Sequence, residues 1–72
     1  MDDLRVEKNE RNRLTYVRTS QKLSQEIVAA DLGITQKTLS NYEHQKRSPS
    51  IPMMKKIAKY YNKDIIYLFF ED

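Results

Sequence analysis

The chain has 72 residues, a net charge of +3, no cysteine and one histidine. One small domain is all that this length accommodates, and the composition excludes disulfides and thiolate metal sites, while His44 alone has too few partners to build a metal centre. No apolar run approaches the roughly 18 residues of a membrane span, and the mixed-charge start Met1-Asp2-Asp3-Leu4-Arg5 does not read as a signal peptide, so a cytoplasmic protein is expected.

Residues 1–8 show no clear period and are expected to form an N-terminal arm, with the domain proper over residues 9–72. A first helix fits Asn9–Lys22, with Leu14, Val17 and Gln21 on one side. A second fits Gln25–Leu32: Ser24 is a good N-cap, Leu23 and Val28 flank it as a hydrophobic staple, and Gly33 ends it in the left-handed conformation. Thr35 caps a third helix, Gln36–Glu43. Ser48-Pro49-Ser50 is a break, after which a fourth helix begins at Ser50 or Ile51 with Pro52 in its first turn. Asn62-Lys63-Asp64 is a turn, and Asp64 is placed to cap a last helix, Ile65–Phe70. With one glycine and two prolines in the whole chain, turns are few, and the expected fold is all-α, a compact five-helix bundle.

Charge is unevenly placed along this outline. Residues 11–63 carry eleven basic and three acidic side chains, whereas residues 1–10 and 64–72 are net acidic. A basic body between acidic ends suits a polyanionic partner, although a lysine-rich solvated surface would look the same by charge alone.

The second and third helices, joined by Leu32-Gly33-Ile34-Thr35, have the spacing of a helix-turn-helix. The small Ala29 allows the two to cross closely, and Val28, Leu32, Ile34 and Leu39 supply apolar contacts. Taken together, Leu14-x-x-x-Arg18, Leu23-Ser24-Gln25-Glu26-x-x-Ala29-x-x-Leu32-Gly33-Ile34-Thr35, Leu39-Ser40-x-Tyr42-Glu43, Arg47-x-Pro49-Ser50, Ile57-Ala58 and Leu68-Phe69 resemble the lambda-repressor/Cro-like helix-turn-helix family over about residues 11–70. The resemblance implies a five-helix bundle that binds double-stranded DNA operators, usually as a homodimer.

On the third helix, Leu39, Tyr42 and Glu43 fall on the side facing the body, while Gln36, Lys37, Ser40, Asn41 and His44 fall on the other. Glutamine and asparagine can pair with adenine, and lysine can donate to guanine; an ordinary polar solvent face is the plainer alternative. The resemblance matches Gln36, Lys37 and Asn41 to base-reading positions. It also places Ser24, Gln25, Thr35 and Ser40, with Lys46 and Arg47 of the following loop, against the DNA backbone. Ser24 and Gln25 open a helix, where free N–H groups and the dipole favour an anion. Arg11, Arg13, Lys55 and Lys56 are weaker candidates for the same task. Arg18 and Glu43 match a salt bridge between the first and third helices that braces the reading helix.

The sequence departs from the family at Lys22 and at His44-Gln45-Lys46, both places where glycine is common, so the third helix is expected to run on by a residue or to end in a strained turn. In the last helix, Ile65, Leu68 and Phe69 are expected to face the core. Ile66, Tyr67 and Phe70 would be left as an apolar dimer patch, with Met53, Met54, Tyr60 and Tyr61 near it in the chain. No nucleophile–base pair, metal cluster or glycine-rich phosphate loop points to an enzyme, and no cofactor or small-molecule ligand is expected. The expected function is a bacterial or phage-encoded transcription regulator, with repression the expected sign. A protein-interaction module on the same fold, such as an antitoxin or anti-repressor partner, is the alternative.

Overall fold

The computed structural model describes residues 12–70, and these form five helices with no strand among them. They are α1 (Leu14–Ser20), α2 (Gln25–Leu32), α3 (Gln36–Glu43), α4 (Ile51–Tyr61) and α5 (Ile65–Phe69). The N-terminal arm, Arg11 and the start of the expected first helix lie outside the described residues.

Hydroxyl caps start the three middle helices. The hydroxyl of Ser24 accepts the Ile27 N–H, that of Thr35 accepts the Thr38 N–H, and that of Ser50 accepts the Met53 N–H, each satisfying a donor that the first turn leaves without a partner. Pro52 sits in the first turn of α4, where its missing N–H removes no helical bond. Asp64 occupies the same position before α5, but its side chain makes no capping bond, contrary to expectation.

One device ends α1 through α4. At each stop a residue takes a left-handed conformation: Lys22 (φ 61°), Gly33 (φ 76°), Gln45 (φ 60°) and Asn62 (φ 59°). Two reverse hydrogen bonds close the turn in every case, as in Leu23 N–H to Arg18 and Lys22 N–H to Thr19, or Lys46 N–H to Asn41 and Gln45 N–H to Tyr42. Lys22 and Gln45, one at each of the two places where glycine was expected, thus take glycine's geometry without glycine. Only Gly33 adopts it without steric cost.

The first helix is shorter than the periodicity suggests. Asn12 and Arg13 are committed to distant partners. The Asn12 side-chain amide donates to the Tyr42 carbonyl at 3.1 Å, and its oxygen accepts the Leu14 N–H at 3.2 Å. The Arg13 N–H donates to the Leu68 carbonyl at 2.9 Å, tying the entry of α1 to α5. At the other end α1 stops at Ser20. Gln21 is exposed and donates to the Tyr61 carbonyl at 3.1 Å rather than packing inward.

The core is Leu14, Val17, Val28, Ala29, Leu32, Leu39, Ile57, Ala58, Tyr61 and Leu68, drawn from all five helices. Leu23, Ile34, Tyr42, Met53, Tyr60, Ile65, Tyr67 and Phe69 pack against it, partly buried. Tyr61 is therefore a core residue and not part of a surface patch. Its hydroxyl is buried with no hydrogen-bond partner, and burial raises its pKa well above the usual phenol value. Tyr60, beside it, donates its hydroxyl to Asp31 at 2.7 Å and so links α4 to α2.

Two stability predictions follow from these features. Lys22→Gly should raise stability by about 0.5–1 kcal/mol, because the steric cost of a left-handed lysine exceeds the entropy that glycine adds to the unfolded chain. Thermal melting reads this as a rise of roughly 2–8 °C; an unchanged or lower Tm would contradict it. Tyr61→Phe removes a buried, unpartnered hydroxyl and should leave stability equal or higher, by up to about 1–2 kcal/mol. A raised folded pKa means that the unfolded state releases its phenol proton first, so this residue's contribution is intact below about pH 10 and is lost as pH rises beyond it. Melts between pH 9 and 11 should accordingly fall less steeply for Tyr61→Phe than for the wild type.

Candidate nucleic-acid interface

The helix pair α2–α3 is fixed by packing from below and by a polar network at its side. Val28, Ala29, Leu32 and Leu39 are buried between the helices and the rest of the core, and Gly33 turns the chain between them. Lys56 reaches across from α4 to donate to the Leu32 carbonyl at 2.9 Å, satisfying an acceptor at the end of α2.

Glu43 is the centre of the polar network. Its side chain is 1 % exposed, and that of Arg18 is 13 % exposed. Arg18 Nε donates to Oε2 at 2.7 Å and Nη2 to Oε1 at 3.2 Å, the bidentate arrangement that suits a guanidinium and a carboxylate. Thr15 Oγ1 donates to Oε1 at 3.2 Å, and Gln25 Nε2 donates to the same oxygen at 2.9 Å. Arg18 Nη1 also donates to the Leu23 carbonyl at 2.9 Å, so the brace holds the entry to α2 as well. The expected Arg18–Glu43 pair is therefore formed, and it is buried. Thr15 is a member that the sequence reading did not name, although it lies one turn before Arg18 on the same face.

The network continues outward. Gln25 Oε1 accepts from Gln36 Nε2 at 3.3 Å, so a chain of side chains runs from the buried carboxylate to the exposed start of α3. Gln36 and Lys37 are exposed, while Ser40 and Asn41 are half-buried. Asn41 has a second task, because its main-chain carbonyl accepts the Lys46 N–H at 2.9 Å and the Arg47 N–H at 3.4 Å. That bond and left-handed Gln45 set the path of the loop, which leaves Lys46 and Arg47 exposed beside the end of α3. The third helix does not run on: His44 closes it, with its ring Nδ1 2.9 Å from the Ser40 carbonyl and 3.2 Å from the Ser40 hydroxyl.

Three of the weaker backbone candidates are within the described residues. Lys55 is exposed on α4. Lys56 is held by Leu32, as above. Arg13 is engaged at α5: Nη1 donates to the Tyr67 carbonyl at 2.6 Å, and its guanidinium lies 4.4 Å from the Tyr67 ring centre. Of the expected apolar patch, Ile66 (52 % exposed) and Phe70 (59 % exposed) face solvent, whereas Tyr67 is half-buried beneath Arg13. Beside Phe70, a cleft of about 240 Å³ opens between Phe69, Met54, Tyr42 and the Arg47–Pro49 loop.

The charge carried from the end of α2 to the turn after α4 suits an anionic partner. From Leu32 to Lys63 the sequence contains seven basic residues and a single acid, Glu43, and that acid is buried and neutralised by Arg18. The segments that form α3, its loop and α4 are thus net cationic, with the exposed Asp31 carboxylate of α2 lying against α4 at Tyr60.

The chain matches the helix-turn-helix family over residues 14–68. It is also 36 % identical, over 63 residues, to an uncharacterized HTH-type transcriptional regulator of Methanocaldococcus jannaschii, an alignment that covers 86 % of this chain and 96 % of that protein.

Removing Glu43 alone would strand Arg18 and the Gln25 amide. Glu43→Ala should destabilise the fold by about 3–5 kcal/mol, as expected for breaking one side of a buried ion pair. Chemical denaturation is the direct measurement, and a loss below about 1 kcal/mol would mean that the pair behaves as an exposed one.

Proposed function

The chain belongs to the helix-turn-helix family of DNA-binding transcription regulators, and we propose that it reads operator DNA with α3 in the major groove, as a homodimer, and that it represses. The observation that carries this reading is the exposed start of α3, where Gln36 is held through Gln25 to the buried Glu43. A side chain that must read a base edge gains from being oriented before it binds, and a merely solvated glutamine has no need of such a tether.

In this reading Gln36, Lys37 and Asn41 contact bases. Ser24 and Gln25 at the start of α2, Thr35 at the cap of α3 and Ser40 on it, and Lys46 and Arg47 in the loop contact phosphates. The free N–H groups and positive dipole end of α2 add to the attraction. Phosphate contacts hold α3 in register, so that base contacts can discriminate.

Dimerisation through Ile66, Phe70 and their surroundings would bury the exposed apolar side chains of α5. Two copies related by a twofold axis would set their reading helices about 34 Å apart, one turn of DNA. Repression needs only occupancy of a site that overlaps a promoter, and control by concentration and dimerisation suffices for it.

Selection of bound duplexes from random DNA at about 150 mM salt tests the reading. Gln36→Ala should lower discrimination at one position of each half-site, by about 1–3 kcal/mol. Lys46→Ala should weaken binding to all sites alike and reduce the slope of log K against log salt by about 1. A wild type that enriches no sequence would favour the protein-interaction alternative. Sedimentation at micromolar concentrations should show a dimer for the wild type and a monomer for Phe70→Glu. A monomeric wild type whose state does not change on adding a selected duplex would contradict the dimer.

A further inference from the structure

We propose that the cleft between the α3–α4 loop and α5 is a binding site for a small aromatic carboxylate, held at its charged end by Arg47, and that such a ligand opposes DNA binding. The opposition rests on Arg47 contacting a phosphate, as proposed above; the site itself does not.

The cleft holds about 240 Å³. Pockets for drug-sized ligands start at roughly 300 Å³, so this one suits a ligand with a single ring. Tyr42, Pro49, Met54, Phe69 and Phe70 give it apolar and aromatic walls, against which a ring packs with the geometry that aromatic side chains and a thioether favour. These walls are held from several directions. Pro49 is buried, and the Asn41 carbonyl fixes the entry to the loop by accepting the Lys46 and Arg47 N–H groups. Asn12 donates to the Tyr42 carbonyl at 3.1 Å and so ties the α3 side of the cleft to the start of α1.

Charge selects the ligand. Arg47 is the one charged side chain that lines the cleft among the described residues. Its main-chain N–H is engaged, but its guanidinium forms no hydrogen bond or ion pair within them. No aspartate or glutamate occurs from His44 to Lys63, so neither the loop nor α4 offsets that charge. A guanidinium at the edge of an apolar cleft favours an anion with an apolar body. The carboxylate takes the bidentate fork, and the ring takes the walls. A neutral ring forgoes the ion pair, and a bare carboxylate forgoes the walls.

The same loop gives the site a consequence for DNA. One guanidinium cannot pair fully with a carboxylate in the cleft and with a phosphate outside it. Occupancy of the cleft withdraws one backbone contact from α3's neighbourhood, and by linkage DNA weakens the ligand by the same factor.

Titration of the full chain with 3-phenylpropionate, followed by NMR of its methionine methyl groups, tests the site. The Met54 signal should shift and saturate with a dissociation constant of about 1 mM or tighter. 3-Phenylpropanol, which keeps the ring without the charge, and acetate, which keeps the charge without the ring, should each bind at least about tenfold more weakly. Arg47→Met should lower the affinity for 3-phenylpropionate to that for the alcohol, whereas Lys59→Ala, which removes the same charge away from the cleft, should not change it. Arg47 is exposed, so its variant should melt as the wild type does. No saturation by about 10 mM, equal binding of the alcohol, or an Arg47→Met protein that binds as tightly as the wild type would each overturn the proposal. In fluorescence anisotropy with a random-sequence duplex, saturating 3-phenylpropionate should weaken DNA binding about threefold or more and lower the slope of log K against log salt by about 1. A ligand that binds but leaves DNA affinity unchanged would overturn the opposition. A chain that binds 3-phenylpropionate as described but no duplex would support this site and contradict the DNA reading above.

Discussion

A carboxylate with almost no contact with water sits where α1, α2 and α3 meet. Burying the Glu43 charge is unfavourable unless it is fully paired, and the fold pairs it with the Arg18 guanidinium, the Thr15 hydroxyl and the Gln25 amide. Two partners come from α1 and the third from the start of α2, so satisfying one charge positions α1, the start of α2 and the end of α3 together. A well-packed apolar cluster could supply comparable stability. It could not supply direction, and the outward continuation through Gln25 to Gln36 uses that direction.

Short helices suit this design because their ends, more than their lengths, carry the surface groups. Ser24 and Thr35 satisfy the first turns of α2 and α3. The left-handed stops bring the chain around within two or three residues, so that the loop after α3 stays close to it. That stop at Gln45 is the more consequential one: the Asn41 carbonyl that closes it also holds the N–H groups of Lys46 and Arg47. The non-glycine stops at Lys22 and Gln45 lower stability somewhat in a domain that, at 72 residues, has little to spare.

Where structure is determined locally, it was legible in the sequence. The limits of α2 and α3 are marked by Ser24, Gly33 and Thr35, each acting on backbone within four residues, and the observed boundaries agree with those signals. The Arg18–Glu43 pair was legible only through resemblance to a family, since nothing local joins residues 25 positions apart. Periodicity overextended α1, because Asn12 and Arg13 are held by Tyr42, Leu68 and Tyr67, all distant in the chain. Tyr61 could not be placed by its residue type, which is as common at surfaces as in cores. Arg13 and Lys56 read as free cations in the sequence, yet each is committed to a main-chain carbonyl that only the folded chain brings near. The left-handed stop at Gln45 was anticipated as strain, but not as a stop that keeps the geometry of glycine.

A double-mutant cycle on Arg18→Met and Glu43→Leu, read by chemical denaturation, tests the central role of the buried pair most directly. If Glu43 and Arg18 satisfy each other, each single variant strands a buried charge and the double variant strands none. The coupling energy should then be at least about 2 kcal/mol, with the double variant more stable than Glu43→Leu plus Arg18→Met would sum to. Single effects that add to within about 0.5 kcal/mol would contradict this account, because the two residues would then contribute independently of the bond between them.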